Sequence, residues 1–119
     1  MNERDFKAKL RKHLKPHVYI QSMSSLATAG TPDLWISGRR DLWIEVKYDD
    51  KTKGAVTPKL SALQRAWLHD RWAEGRNVCV IVGTAPGEGI VFCDKQWEVS
   101  INDRISFDRI IELILRNTK

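Results

Sequence analysis

The 119-residue sequence predicts an α/β fold in which helices flank a mixed central β-sheet. Two observations predict it. Apolar residues recur at helical spacing in three stretches, and five short segments rich in apolar and β-branched residues lie between them. Together they give the element order α-β-β-β-α-β-β-α. The sequence has no repeat, low-complexity tract or Pro/Gly-rich linker, so residues 1–119 are expected to form one domain.

The first predicted helix covers residues 2–15, where apolar residues recur every three or four positions until Pro16 ends the pattern. The residues on its apolar face are Phe6, Leu10 and Leu14. A strand is predicted next, over residues 17–24.

A turn of small residues follows over 27–32, and then two strands over 33–37 and 42–48. Residues 38–41 between these strands have the length and the turn residues of a hairpin. The hairpin makes the two strands antiparallel neighbours in the sheet.

The second helix is predicted to have Thr57 as its N-cap and Pro58 as its first residue, since both match known helix-start signals. It extends to about Glu74 and ends at Gly75. Its apolar face comprises Leu60, Leu63, Trp67, Leu68 and Trp72.

Residues 77–83 are almost continuously apolar, as expected for a strand buried on both faces near the centre of a sheet. A turn over 85–89 leads to a strand over 90–93. The last helix is marked by an apolar face of Phe107, Ile110, Ile111, Ile114 and Leu115.

Composition narrows the class of protein. No segment is apolar over the length that spans a bilayer, and the N-terminus lacks the apolar run of a secretory signal, so a cytoplasmic protein is expected. Cys79 and Cys93 have no CxxC spacing and are expected to be buried free thiols. The net charge of +5 favours a polyanionic partner without identifying one.

The strand over 42–48 carries an unusual pair of charges. Its period of two puts Trp43, Glu45 and Lys47 on one face, opposite three apolar residues. A carboxylate and an ammonium on an apolar strand are costly unless they are paired, exposed or bound. The hairpin would bring Asp33 alongside Glu45, so that two carboxylates and a lysine converge.

This set suits phosphodiester hydrolysis, because Mg²⁺ takes one or two carboxylates and keeps other positions for water and a phosphate oxygen. Asp33 and Glu45 would be the ligands, and Lys47 would position the attacking water or stabilise charge on the phosphate. The alternative is an exposed Glu-Lys pair beside an unrelated turn aspartate.

Two further polar residues lie on apolar helix faces. Gln64 is in line with the apolar residues of the second helix, where it would reach the metal-bound water or the phosphate, or satisfy backbone groups. Glu3 lies one turn before Phe6 on the first helix, where it would point inward as a further metal ligand or remain at a frayed terminus.

The residues Gly30-Thr31-Pro32-Asp33, Ile44-Glu45-Val46-Lys47 and Gln64 resemble the pattern of the PD-(D/E)XK nuclease superfamily. Residues 29–34 and 60–68, with the helix ending at Gly75, are similar to the virus-type replication-repair nuclease (VRR-NUC) family. This resemblance covers roughly residues 24–83.

The resemblance implies a restriction-endonuclease-like core, dependence on Mg²⁺ or Mn²⁺, and catalytic roles for Asp33, Glu45, Lys47 and Gln64. It implies the Val46 carbonyl as a metal ligand, with Glu3 as the carboxylate from the first helix. Stand-alone members of the family, from bacteria or phage, resemble Holliday-junction resolvases that act as homodimers. The resemblance thus implies a structure-selective endonuclease that cuts branched DNA in recombination or repair.

Three alternatives remain at this point. A repair exonuclease or flap nuclease would use the same catalytic residues. A non-catalytic DNA-binding module would use basic residues for phosphate contacts, and the candidates are Lys7, Arg11, Arg39, Arg40, Lys51, Lys53 and Lys59. An interaction protein would use some of the five tryptophans as anchors, with Trp97 available for a dimer surface.

Overall fold

The computed structural model describes residues 1–23 and 29–119 of the chain. Its helices are α1 (Glu3–Leu14), α2 (Ala62–Ala73) and α3 (Phe107–Asn117), with a short 3₁₀ helix at Gln96–Glu98. Its strands are β1 (Tyr19–Ser22), β2 (Leu34–Ser37), β3 (Leu42–Tyr48), β4 (Val78–Ala85), β5 (Glu88–Cys93) and β6 (Ile105–Ser106). The predicted α/β class is confirmed, with one strand more than the sequence predicted.

The six strands form one mixed sheet in the order β1-β2-β3-β4-β5-β6. Every neighbouring pair is antiparallel except β3 and β4, which are parallel and are connected through α2. This is the crossover that parallel neighbours require. As predicted, the almost continuously apolar β4 lies inside the sheet, and seven of its eight residues are buried.

Each face of the sheet is covered by different helices. On one face, α1 and α3 pack against alternate residues of β2, β3 and β4, among them Leu42, Ile44 and Val46. On the other face, Leu68 of α2 packs with Val80 and its neighbours. The predicted period of two in β3 is therefore confirmed, and Trp43, Glu45 and Lys47 face the α2 side.

The predicted start of the second helix is wrong. The helix does not start at Thr57 and Pro58; its N-cap is Ser61, which forms a capping box with Gln64. The preceding segment is held by tertiary contacts instead, because Val56 pairs with Ile101 across an isolated bridge. Leu63, which was also assigned to the apolar face, is 58% exposed. Leu60, assigned to the same face, precedes the helix.

Other predicted boundaries shift. The predicted strand over 17–24 contracts to β1, and Ser24, like Ala27 and Thr28 of the predicted turn, lies outside the described residues. Strands β4 and β5 extend into the predicted turn over 85–89. The added strand, β6, is only two residues long and pairs with Glu88 and Gly89, which is too short for a periodicity to be read.

Trp97 does not form a dimer surface. Its side chain is 1% exposed and packs in the core under α2. Cys79 and Cys93 are free thiols on directly opposed residues of β4 and β5; Cys79 is buried and Cys93 is half-buried. Within residues 1–23 and 29–119, no helix has the length and apolar character needed to cross a membrane.

Candidate active site

The site forms where β3 continues past Leu34, the first residue of β2. The two strands pair only as far as Leu34 and Ile44, whereas β3 runs on to Tyr48 with β4 as its partner. Asp33, the residue before β2, fills the place that a further pair would occupy: its Oδ2 accepts a hydrogen bond from the Val46 N–H at 2.8 Å. Asp33 is thereby fixed beside Glu45, as the hairpin predicted.

Glu45 is a buried carboxylate, only 3% exposed, on the face of β3 that α2 covers. Its Oε2 accepts a hydrogen bond from Gln64 Nε2 at 3.0 Å and lies 3.5 Å from Lys47 Nζ. Burial, followed by repulsion from Asp33, raises the pKa of Glu45 to about 8 despite the Lys47 ammonium. Burial and the neighbouring Asp33 carboxylate therefore outweigh the effect of Lys47 on Glu45.

Gln64 is held in a single orientation by the start of α2. Its Oε1 accepts from the Ser61 N–H at 3.0 Å and from Lys47 Nζ at 3.2 Å, which leaves Nε2 to donate to Glu45. Of the two alternatives predicted for Gln64, the satisfied backbone group is present at the helix start, and the amide also contacts both charged residues of β3. A contact of Gln64 with a metal-bound water or a phosphate stays a prediction. The amide serves to orient Glu45 and Lys47 relative to each other.

Gly30 lets the segment that leads to Asp33 pack closely against α2, a role that was not predicted from the sequence. Gly30 has φ of +79°, and a Cβ at this position would lie 2.3 Å from the Leu63 carbonyl oxygen in the first turn of α2. The segment leading to Asp33 and the helix carrying Gln64 therefore meet backbone to backbone. The available sequence signal was the position of Gly30 directly before Thr-Pro-Asp, because glycine is the residue that lets two backbone segments approach closely.

Lys7 lies inside the site. This residue of α1, predicted to contact DNA, places its ammonium 3.3 Å from Asp33 Oδ1. Nothing in the sequence indicated this pair, because 26 residues separate Lys7 from Asp33. The assignment of Lys7 to DNA binding remains a prediction.

The donor set fits a small, hard cation. Asp33 and Glu45 supply carboxylates, and Val46 supplies a carbonyl that points to the same side as its N–H, toward Asp33, as in any extended strand. Mg²⁺ needs no more than one or two carboxylates, with water in its other positions. A divalent cation would also offset the burial and the repulsion from Asp33 that together raise the pKa of Glu45.

Glu3 is not grouped with Asp33 and Glu45 in this structure. In the described part of the chain, no three His, Cys, Asp or Glu side chains are grouped so that they could hold a metal ion. Glu3 is exposed and lines an adjoining cavity of about 370 Å³, which Lys47 also lines. Its role as a ligand remains a prediction.

The other predicted DNA contacts lie around the site or away from it. Lys51 and Lys59 line the same cavity as Lys47, and Lys53 is exposed in the loop between β3 and α2. The remaining three are exposed arginines: Arg11 in the last turn of α1, and Arg39 and Arg40 in the β2–β3 hairpin. Their contacts with DNA remain predictions.

No protein-family model matches the sequence, and no curated protein matches it significantly. Among solved structures, one described as a VRR_NUC domain protein aligns with 98% of this chain and 88% of its own length. The TM-score is 0.58 and the sequence identity is 18%. The two chains share a fold, and this mixed α/β architecture is compatible with the restriction-endonuclease-like core expected from the sequence.

Proposed function

We propose that this chain is a metal-dependent deoxyribonuclease that hydrolyses phosphodiester bonds at Asp33, Glu45 and Lys47. One observation carries the proposal. A buried carboxylate, a second carboxylate, a lysine and an oriented amide converge where β3 passes the end of β2. A purely structural Glu-Lys pair would not require a second carboxylate within repulsive range of Glu45.

Asp33, Glu45 and the Val46 carbonyl would hold Mg²⁺ or Mn²⁺. When bound, that ion would polarise the phosphoryl group and lower the pKa of a bound water molecule. The chain's own groups perform the remaining work. Lys47 Nζ, held by Gln64 Oε1 at 3.2 Å, stabilises negative charge that develops on the phosphate. Gln64 fixes the carboxylate plane of Glu45 through its Nε2.

Lys7 has a role that depends on occupancy of the site. Its ammonium compensates Asp33 when no other cation is near. A divalent ion at Asp33 would compete with this contact and release Lys7 for the nearest phosphate of the DNA. Lys7 is therefore the partner of Asp33 in the metal-free site and a DNA contact when the metal is bound.

For the substrate, we propose branched DNA such as a Holliday junction, cut by a homodimer acting in recombination or repair in a bacterial or phage-infected cytoplasm. The shared fold with a VRR_NUC domain protein supports the nuclease class. The net charge of +5 supports a polyanionic substrate. Two copies related by a two-fold axis would present two active sites to two strands.

The test is cleavage of end-labelled four-way junction, flap, single-stranded and linear duplex DNA in Mg²⁺ or EDTA. Asp33→Ala is the inactive variant, and Asp108→Asn, which alters an exposed carboxylate on α3 away from the site, is the matched control. Paired Mg²⁺-dependent cuts in the junction, retained by Asp108→Asn and lost in Asp33→Ala, would support the whole proposal.

Other outcomes separate the alternatives. Mononucleotides released progressively from DNA ends would show that the protein is an exonuclease and not a resolvase. Cuts where a single strand joins the duplex would show that it is a flap nuclease. Folded protein that binds DNA and cuts none of these substrates in Mg²⁺ or Mn²⁺ would contradict catalysis and leave a DNA-binding module.

A further inference from the structure

A row of aromatic rings extends from the site toward the edge of the sheet. We call it the aromatic ribbon, and its members are Tyr19 on β1, Trp35 on β2, Trp43 on β3 and Trp67 on α2. Successive ring centroids are 5.8, 6.1 and 5.3 Å apart. These separations are in the range of favourable aromatic contacts, so the four rings form one continuous row of contacts.

The ribbon lies on the same face of the sheet as the catalytic residues. Trp43 precedes Glu45 by two positions on β3. Trp35 lies directly opposite Trp43 on β2. The rings of Trp35 and Trp43 are half-buried, whereas Tyr19 at the edge strand is 61% exposed. The aromatic row therefore begins two residues from Glu45 and reaches an exposed ring, Tyr19, at the edge strand.

One edge of the ribbon borders a basic cavity. This arginine cavity has a volume of about 390 Å³, and its wall includes Trp43, Arg39, Arg40 and Arg76. The carboxylate of Asp41, which also lines it, accepts a hydrogen bond from the Gly38 N–H at 3.4 Å. Arg76 lies 3.7 Å from Glu74 but is exposed. Three guanidinium groups are thus gathered beside an aromatic ring.

The charge around the ribbon favours nucleic acid over a second copy of the chain. In a two-fold dimer the same surface meets its own copy, so a second chain on this surface would bring two sets of three arginines together. Like charges set against each other across an interface are unfavourable. Single-stranded nucleic acid is recognised by the combination found here: aromatic rings on which bases stack, and a positive groove that follows the phosphates.

We propose that the aromatic ribbon and the arginine cavity bind an unpaired segment of the DNA substrate. Its bases stack on Tyr19 and Trp35, and its phosphates contact Arg39, Arg40 and Arg76. The proposal rests on the proposed nuclease function, since it places this segment next to the strand that is cut. It makes the preferred substrate one with single-stranded character beside the scissile bond.

Binding is measured separately from cleavage, by fluorescence anisotropy in EDTA. The probes are labelled oligothymidylate of about 12 nucleotides, within the site size of such surfaces, and a hairpin duplex with the same number of phosphates. The variants are Tyr19→Ala, Trp35→Leu and Arg39→Gln/Arg40→Gln. The matched charge control is Arg109→Gln/Arg116→Gln, on α3, where both arginines already pair with Glu112.

The aromatic variants are expected to bind oligothymidylate roughly tenfold more weakly and the duplex with unchanged affinity. The Arg39→Gln/Arg40→Gln variant should reduce the slope of log K against log salt for oligothymidylate by about 1.4. The Arg109→Gln/Arg116→Gln control should show a smaller change. Because Tyr19 is exposed, Tyr19→Ala keeps the test valid even if Trp35→Leu does not fold.

Unchanged oligothymidylate binding by folded Tyr19→Ala would overturn the proposal. So would a change from dimer to monomer in that variant, measured by analytical ultracentrifugation, because the ribbon would then be an interface between copies. Intact ribbon-dependent binding without metal-dependent cleavage would contradict the proposed function and leave the binding proposal standing.

Discussion

Glu45 makes the stability of the metal-free protein depend on pH. Its pKa is about 8 in the folded chain, against 4.5 for an ordinary glutamate, so the folded state holds a proton that the unfolded state has lost between these values. The stabilisation is fully present below pH 4.5 and is lost as the pH rises through 8. The wild type is therefore expected to lose about 3 to 5 kcal/mol of unfolding free energy over this interval through Glu45.

The perturbation is Glu45→Gln, which keeps the shape of the side chain and cannot ionise. Urea unfolding followed by tryptophan fluorescence, in EDTA at pH 5.5, 7 and 8.5, gives the unfolding free energy of both proteins. Other groups titrate in this range in both proteins, so the difference between wild type and variant isolates Glu45. Asp33→Asn should reduce the pH dependence of the otherwise wild-type chain, because repulsion from Asp33 is the second-largest cause of the raised pKa.

The reasoning is refuted if the difference between wild type and Glu45→Gln stays constant from pH 5.5 to 8.5. That result would mean that Glu45 ionises normally in the folded protein and that it is better solvated than its 3% exposure indicates.

Three further predictions concern the residues that hold the site together. Gly30→Ala should cost about 2 to 4 kcal/mol of unfolding free energy by urea denaturation, since its Cβ would lie 2.3 Å from Leu63. The control Gly54→Ala, at φ +82° with open space around it, should cost about 1 kcal/mol; equal losses would contradict the close approach. Gln64→Ala should slow single-turnover cleavage about 10- to 100-fold, and an unchanged rate would show that the amide is only a helix cap. Lys47→Met should reduce the cleavage rate about 100-fold or more with little change in DNA binding measured in EDTA, whereas a loss confined to binding would make Lys47 a simple phosphate contact.

Local sequence rules predicted the part of the site that lies on one strand pair. The alternation of residues in β3 determined which side chains share a face with Glu45, and the hairpin between Ser37 and Leu42 determined that Asp33 would be nearby. Both rules concern neighbours in sequence or across a short turn. For the same reason the order of the main helices and strands was predictable.

Contacts distant in sequence were not predictable by these rules. Two helix-start signals compete before α2: the Thr57 hydroxyl is hydrogen-bonded to Ser100, 43 residues away, and Ser61 caps the helix. The Lys7–Asp33 pair similarly depends on how α1 packs across the sheet. The aromatic ribbon could have been predicted only if the pairing registers of β1, β2 and β3 had been known together.

Trp97 and β6 illustrate a second limit. Each belongs to a segment of two or three residues, which is too short for a periodic pattern to repeat. Their positions are set by the surfaces that they meet: the core under α2 for Trp97, and the start of β5 for β6. Packing rather than propensity places such segments.

The central claim, that Asp33 and Glu45 form the metal site of a DNA nuclease, is tested most directly by single-turnover cleavage across a Mg²⁺ titration. Wild type, Glu45→Gln and the control Asp108→Asn are compared on the DNA structure that the wild type cuts best. The account predicts a rate that saturates with Mg²⁺ in wild type and control, and falls at least about 100-fold in EDTA or with Glu45→Gln. Cleavage by folded Glu45→Gln at the wild-type rate, or undiminished cleavage in EDTA, would contradict it.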